Sequence, residues 1–451
     1  MAFRTLVWGV FLVLLGGLVL RLHTRWANET MALRRELSAY EEVRQKILDS
    51  YVGEVDRREL LFGALQGMSG RLDAHSEFWT PKRREEERSS TTGHFGGLGI
   101  EIARDPRKGL IVLRPLPNSP AAKAGLLPED GILEIDGQAT GEISVDRARE
   151  LIRGQPGSIV KLKVLRAGQD EPLALEIERA EIKIDSVQEA TILAPPETAS
   201  ARIPADAPKI GYVLVAKFQD ETSRDLDRAL AKLSAEGMQG LILDLRGNHG
   251  GLLDEAVSVC DLLLKGKGRS ILTVRGRDPE THATREEKYQ SSGLSPHPEW
   301  PMALLVDGGS ASASEIVAGC LKDSKRAVLV GEKTYGKGSV QTILPIPLQD
   351  WGEAALKLTT GKFYSPSDSI IDGKGVTPDH LVPFTQAQQI GLQRERYRRQ
   401  VLRDAEKGGG IPAGFFNPPQ GEGGKAVEPF YDLQLERAVE AVIELIRRRG
   451  G

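Results

Sequence analysis

Three serines, Ser310, Ser312 and Ser314, crowd into the block DGGSASASEIVAG over Asp307–Gly319. There an apolar, strand-like run, Met302–Val306, gives way to small residues and then to an apolar helical pattern. A serine at a strand-to-helix turn can present its hydroxyl to a cleft, and backbone N–H groups at the helix start can bind an oxyanion in it. That chemistry is acyl transfer with serine as nucleophile. The spacing also has a plainer use, because Ser312-x-x-Glu315 is a capping box, which only satisfies the free N–H groups of a first helical turn. Taken alone, capping is the simpler reading. Nucleophilic use needs a base, since a serine hydroxyl is a poor nucleophile at neutral pH. His249 is the one histidine near a turn of this kind. Lysine can serve instead where burial lowers its pKa enough to leave it neutral. In GEKTYGKGSVQ, Gly331–Gln341, Lys337 stands between Gly336 and Gly338, just after the apolar run AVLVGE. The glycines permit a tight path that can turn the amine inward, whereas Lys333, beside Glu332, reads as a solvated lysine. A surface lysine in a Gly-rich turn fits that spacing equally well.

The elements that must position these blocks lie between Ile184 and about Phe384, where strands alternate with helices. KIGYVLVA, GLILDLR, MALLVD and AVLVGE are continuous apolar runs, as expected for strands buried on both faces. Leu252–Leu264 and Ser312–Lys322 read as helices, so the region is α/β. GLILDLRGNHGG, Gly240–Gly251, is a strand ending in an Asn/Gly turn, whose glycines supply unusual φ angles. The segment Pro195–Pro208 reads as a loop or insertion. Upstream, Leu33 to about Arg88 is helical by the spacing of Leu37, Tyr40, Val43, Ile47 and Leu48, with a second helix near Glu59–Leu72. The run Lys82–Arg88 reads as a solvated helix face or hinge. Between about Ser89 and Glu181, short β-type runs are separated by Gly, Pro and Asp, with helical candidates at Ala121–Leu126 and Val145–Ile152. The tail from Gln386 is helical and charged, with a Gly/Pro-rich linker, Glu406–Lys425, before an amphipathic helix, Leu433–Arg448.

A chain of 451 residues exceeds one ordinary core, so two or three domains are expected. The formal net charge of -3 provides no basic field for a polyanion, which argues against a nucleic-acid partner. Cys260 and Cys320 sit in apolar helical stretches and read as small buried hydrophobes rather than a disulfide. The seven histidines are scattered and no Cys/His cluster has zinc spacing, so neither a metal nor another cofactor is expected. At the N-terminus, Arg4 precedes an uncharged run, TLVWGVFLVLLGGLVL (Thr5–Leu20), followed by Arg21, His23 and Arg25. No clear A-x-A site follows it, which favours a retained signal anchor over 1–25, with membrane attachment and the remainder outside the cytoplasm.

The paired blocks SASASEI and YGKGSVQ, with Lys337 following Ser312 by 25 positions and Gln341 four further on, resemble the carboxyl-terminal processing (tail-specific) protease family. The resemblance implies a Ser–Lys dyad: Ser312 as nucleophile, Lys337 as general base and Gln341 as the group that orients the lysine. It assigns the oxyanion hole to the N–H of Ala313 and of Gly251, with Gly250 the alternative, and places His249 where the family often has proline. HFGGLGIEI and AAKAGLLPEDGILEIDG resemble the PDZ domain. That resemblance implies a loop of Gly96, Gly97, Leu98 and Gly99 that captures a peptide's terminal carboxylate on backbone N–H groups. Pro128-Glu129-Asp130 stands where Pro-Gly-Asp is more usual. LDAHSEFW (Leu72–Trp79), with Ala74 in place of proline, and GKGVTPD (Gly373–Asp379) are further similar blocks, both read as structural. The implied fold is α+β and multidomain. It comprises the anchor at 1–25, a helical region at 26–88, a PDZ domain at 89–182, a protease core of crotonase-like α/β type at 183–385 and a helical C-terminal region at 386–451. The implied activity is serine endopeptidase action on extracytoplasmic proteins presented by their C-terminal end. Oligomeric state is left open, a homo-oligomer included. Two rivals are a catalytically inactive PDZ scaffold, which the intact Ser312, Lys337 and Gln341 argue against, and a thioester enzyme, which leaves the PDZ module and the anchor without a purpose.

Overall fold

Continuous apolar runs in this chain become strands covered on both faces, and alternating runs become strands covered on one. The computed structural model describes residues 31, 33–105, 107–166, 169, 171–193, 207–411 and 430–450. They fall in two units, Met1–Phe78 with Leu348–Gly352, and Trp79–Pro347 with Glu353–Gly451. The anchor expected over 1–25 lies outside the described residues, as do most of the Gly/Pro-rich linker and of the Pro195–Pro208 segment. Among the described residues no helix is long and apolar enough to cross a membrane.

In the first unit, α1 spans 33–50 and α2 spans Arg57–Ser69. Asp56 starts α2 by accepting from the N–H groups of Arg58 and Glu59. The LDAHSEFW block turns on a carboxylate rather than a proline: Asp73 Oδ1 accepts from the N–H groups of His75 and Ser76 at 2.7 Å each. A short strand, β1 (Glu77–Trp79), follows. Phe62 packs on Phe78 and Trp351, with ring centroids 5.9 and 6.3 Å apart. The two-helix reading of this stretch, with its break at Val52-Gly53, matches the gap at 51–56, while β1 interrupts the helical pattern further on; Leu37 and Val43 on α1 are each 58% exposed.

In the second unit, α3 (Pro81–Thr92) carries the Lys82–Arg88 run as a solvated face laced by an Arg83–Glu87 pair. The β-rich module then contains β2 (His94–Gly97), β3 (Ile100–Asp105), β4 (Gly109–Pro115), α4 (Pro120–Lys123), β5 (Gly131–Ile135), β6 (Gln138–Ala139), α5 (Val145–Ile152), β7 (Ile159–Leu165), β8 (Leu173–Glu178) and β9 (Ala180–Lys183). Its main sheet is antiparallel in the order β3-β4-β5-β7-β8, with β6 on β5 and β2 paired separately to β9. Along β7, Val160, Leu162 and Val164 are buried while the residues between them face solvent. They join Leu98, Leu110, Val112, Ile132 and Ile135 in one core. The expected helix at Ala121–Leu126 is shorter and earlier, because Ser119 caps it and it stops before Gly125, which has φ +77.

The α/β region is built on a six-stranded sheet. Its members are β10 (Val187–Leu193), β11 (Ile210–Val215), β12 (Gly240–Asp244), β15 (Met302–Val306), β16 (Val328–Gly331) and β19 (His380–Leu381), in that order. Only β10 is antiparallel to its neighbour. Helices α6 (Thr222–Ala235), α7 (Leu253–Leu263) and α8 (Ala313–Asp323) bury one face, with Cys260 and Cys320 both free and buried among them. The last helix, α10 (Leu433–Gly450), buries the other through Leu435, Ala438, Val439 and Val442. A second sheet contains β13 (Ser270–Arg277), β14 (Thr284–Gln290), β17 (Ser339–Leu348) and β18 (Gly352–Tyr364). The long helix α9 (Gln386–Glu406) begins at a capping box of Thr385 and Gln388.

Candidate active site

Strand β15 ends at Val306 and the chain turns sharply before α8. Asp307 Oδ1 fixes that turn by accepting from the N–H of Gly309 at 2.9 Å and of Gly247, in the loop after β12, at 2.8 Å. Of the three serines, two are spent on the fold. Ser310 Oγ donates to the Leu245 carbonyl at 2.8 Å, and Ser314 Oγ to the Asn248 carbonyl at 2.7 Å; both side chains are buried. Ser312 is different. It is half-buried and holds φ 55 and ψ −113. A positive φ is costly for any residue with a Cβ, and such strain is characteristic of a nucleophile set on a strand-to-helix elbow.

What holds the strained serine is Glu315. The Ser312 N–H donates to Glu315 Oε2 at 2.8 Å, while the Glu315 N–H goes to the Ser312 carbonyl at 2.8 Å. The two residues thus form the capping box that the spacing offered, and its carboxylate half fixes the Ser312 backbone. The same carboxylate gathers the lysine loop. Oε1 accepts from Thr334 Oγ1 at 2.6 Å and from the Gly336 N–H at 2.7 Å, and Oε2 accepts from the Lys337 N–H at 2.8 Å. Ser312 and Lys337 thus donate to one oxygen, so their backbone nitrogens lie at most two hydrogen-bond lengths apart. Glu315 is fully buried, and four donors share its charge, which is how a buried carboxylate is tolerated. The sequence shows Glu315 only as a capping residue; its reach across to the lysine loop is set by tertiary closure.

The GKGVTPD block completes that loop from behind. Gly373 N–H donates to the Gly336 carbonyl at 2.8 Å, Val376 N–H to Thr334 Oγ1 at 2.6 Å, and Thr334 N–H to the Val376 carbonyl at 3.1 Å. A Cβ on Gly375 would lie 2.4 Å from the Thr334 carbonyl oxygen, so only glycine fits. Lys337 is half-buried, and burial lowers its pKa below the ordinary lysine value. The ammonium of Lys357 on β18 pushes in the same direction, and the Glu315 carboxylate opposes both. Lys357 itself lies over the Trp79 ring, 5.5 Å from its centroid. Among the described residues no hydrogen bond joins Gln341 to Lys337: its amide nitrogen donates to Ser339 Oγ at 2.8 Å and Thr359 Oγ1 at 3.4 Å. Lys333 is exposed, as expected.

The loop after β12 forms the facing wall. Asn248 organises it: its side-chain amide donates to the Val215 carbonyl at 2.8 Å, and its Oδ1 accepts from the Gly250 N–H at 2.9 Å. Its carbonyl also accepts from the Ala311 N–H at 3.1 Å. Gly250 has φ +97, and a Cβ there would sit 2.9 Å from Ser312 Cβ and 3.0 Å from the Ala313 nitrogen. Gly251 has φ +148 and passes so close to Phe218 that a Cβ would lie 1.8 Å from its carbonyl oxygen. The Gly250 N–H is already taken by Asn248, whereas among the described residues no hydrogen bond takes up the N–H of Gly251 or of Ala313. The two glycines left open by the sequence are thus distinguished by their donors, and Gly251 is the one with an N–H to offer. His249 is exposed and has no hydrogen-bond partner among the described residues, so nothing ties it to Ser312.

The peptide-loop candidates lie in the β-rich module. Gly96 and Gly97 fall in β2, where a Cβ on Gly96 would lie 2.0 Å from the Gly154 carbonyl oxygen. The Leu98 side chain is fully buried in the module core, and Gly99 has φ +68. The following strand, β3, is the edge of its sheet and lies beside α5, which leaves one backbone edge for an added strand. At the altered turn, Glu129 adopts φ +67, the conformation a glycine would take without strain, and Asp130 is held by Arg166 at 2.8 and 2.9 Å.

A strained serine at a helix start, a lysine of lowered pKa whose backbone is pinned to the same carboxylate, and two N–H groups with no acceptor among the described residues can together support acyl transfer through a covalent intermediate. Residues 209–382 match peptidase family S41, and residues 111–166 match the PDZ domain. The chain is 37% identical over 380 residues to the carboxy-terminal-processing protease of Bartonella bacilliformis, covering 83% of this chain and 81% of that protein. It is 32% identical over 346 residues to the carboxy-terminal processing protease CtpB of Bacillus subtilis, covering 76% and 67%. Among solved structures it is similar to a photosystem II D1 C-terminal processing protease, at 31% identity over 76% of this chain and 86% of that one, with a TM-score of 0.44. The chain therefore belongs to peptidase family S41 and is a carboxyl-terminal processing serine peptidase with a PDZ domain.

Proposed function

We propose that this peptidase cleaves extracytoplasmic proteins presented by their C-terminal end, with Ser312 as nucleophile and Lys337 as general base. The observation that carries the assignment is the shared Glu315 carboxylate, which fixes the backbone of both residues from one oxygen. Neutral Lys337 takes the proton of Ser312 Oγ as that oxygen attacks the scissile carbonyl. The developing oxyanion is held by the N–H groups of Gly251 and Ala313. The lysine ammonium then protonates the leaving amine, and water, deprotonated by Lys337, hydrolyses the acyl-serine. Gln341, anchored on Ser339 and Thr359, is the group assigned to orient the amine as substrate closes the site. The backbone of Gly96–Gly99 would receive the substrate's terminal carboxylate, with the preceding residues added along β3. An anchor over 1–25 would keep the catalytic region at an outer membrane face.

The test is a pH–rate profile on parent, Ser312→Ala and Lys337→Ala, using a disordered protein substrate. Both variants should be inactive, and the parent should lose activity as pH falls through a single protonation below the ordinary lysine pKa. Undiminished hydrolysis by Ser312→Ala would remove the dyad from consideration. A substrate whose terminal carboxylate is amidated should show a raised KM with little change in kcat if the loop captures it.

A further inference from the structure

The sheet that carries Ser312 at one end carries a cationic pocket at the other. The pocket holds about 250 Å³ and opens where β15 starts, between the C-terminal end of α8 and the end of α10. Four cations line it, Lys322, Lys325, Arg326 and Arg449, against one carboxylate, Asp379. Asp379 is already engaged: it lies 3.6 Å from Lys322 Nζ and accepts from the Leu329 N–H at 2.8 Å.

Arg326 is the informative member. Its side chain is 8% exposed, yet among the described residues no carboxylate forms an ion pair with it. Nε donates to the Leu263 carbonyl and Nη1 to the Trp300 carbonyl, both at 2.8 Å. Those bonds stop the carbonyl end of α7 and one loop, and they satisfy donors without supplying a negative charge. Burial pushes the guanidinium down to about 10, and Arg449 and Arg269 add to that push against Glu299. A buried cation with neutral hydrogen-bond partners, two cationic neighbours and one carboxylate, Glu299, that forms no ion pair with it among the described residues is a standing electrostatic cost that an anion in the pocket would lessen. Lys325 is exposed and Arg449 is exposed, so both can serve as a rim that draws such an anion in.

We propose that this pocket binds a phosphate-type oxyanion, either as a free ion or as the exposed phosphate of a lipid headgroup. Its volume admits a small tetrahedral anion and not a folded partner. Its excess of three positive charges suits an anion of two charges with several acceptor oxygens better than a lone carboxylate. The site lies at the far end of α8 from Ser312, so it is separate from the catalytic residues.

The test is thermal unfolding of the full chain titrated with inorganic phosphate against chloride at equal ionic strength, on the parent and on Lys325→Glu/Arg449→Glu. Both substituted residues are exposed, so the fold should be kept. A parallel arm measures co-sedimentation with vesicles of phosphatidylglycerol and of phosphatidylcholine. The parent should be stabilised by phosphate in the millimolar range beyond chloride, and the double variant should bind about tenfold more weakly or not at all. Loss of phosphatidylglycerol binding in the same variant would identify the lipid as the source; binding of free phosphate alone would identify the ion. Stabilisation equal in phosphate and chloride, with vesicle binding unchanged by the variant, would overturn the site. So would phosphate binding that survives the double charge reversal.

Discussion

Glu315 makes the serine and the lysine one device, and this has measurable consequences for each residue. Replacing it with Gln keeps the shape but turns an amide donor toward backbone N–H groups, leaving at least one buried donor unpaired. Glu315→Gln should cost about 1–3 kcal/mol in denaturant unfolding and should lower kcat more than it raises KM. Lys337 carries the opposite balance. Its pKa is lowered in the folded protein by burial and by Lys357, so between the folded and unfolded values the unfolded chain binds the extra proton. Stability from this group therefore falls as pH drops through that window and is already reduced at neutral pH. Lys337→Met should be inactive yet unfold at a higher temperature than the parent at pH 7, the gap closing toward alkaline pH. Lys357→Met removes a like charge and should raise the Lys337 pKa, moving the acid limb of the rate profile to higher pH and lowering activity at pH 7. The local settings of Ser312 and Lys337, a small-residue turn and a pair of glycines, made them candidates only; the resemblance of the two blocks to the protease family is what singled them out. Glu315's second task was not readable in the sequence, since Thr334, Gly336 and Lys337 arrive at its carboxylate only when the loop closes from 19 to 22 positions away.

At the scale of elements, the loop after β12 is shaped by close approach rather than by its side chains. A methyl group on Gly251 has no room beside the Phe218 carbonyl, so Gly251→Ala should displace the N–H and lower kcat by about 10²–10³. His249, exposed on the same loop, should tolerate replacement by proline or alanine with activity retained, measured on the same substrate. The turn at Glu129 offers the reverse experiment: Glu129→Gly relieves a left-handed residue and should raise stability by about 0.5–1 kcal/mol in urea unfolding, after the added unfolded-state entropy of glycine. The strands of the six-stranded sheet were legible because burial on both faces demands unbroken apolar runs. The second sheet was not. Thr284–Gln290 reads TREEKYQ and is nearly all exposed, and Ser339–Leu348 contains two prolines, so neither carries the hydrophobic signal of a strand.

Across the whole second unit, buried arginines bind distant parts of the chain. Arg114 on β4 is fully buried and pairs with Glu101 at 2.6 Å and with Asp404 on α9 at 2.7 Å. Arg246, which leads into the Gly251 loop, pairs with Asp244 at 2.7 Å and with Asp432, just before α10, at 2.9 Å. Arg396 on α9 also reaches Asp244 at 2.7 Å and the Arg246 carbonyl at 2.8 Å. The Asp404→Asn change leaves Arg114 with one carboxylate, and hydrogen exchange should quicken in β4 and in the last turns of α9 before it does in the core sheet. The charged tail was legible as helix, and only the packed chain reveals which of its arginines are interior.

Arg246 meets Asp432 only once a further 186 residues have been made. A growing polypeptide therefore holds Ser312 and Lys337, the proposed nucleophile and base, well before it holds the carboxylate that pairs with Arg246 at the head of the Gly251 loop. The order of synthesis becomes a safety catch, and a nascent molecule stopped short of Asp432 should be unable to cut either its neighbours or itself.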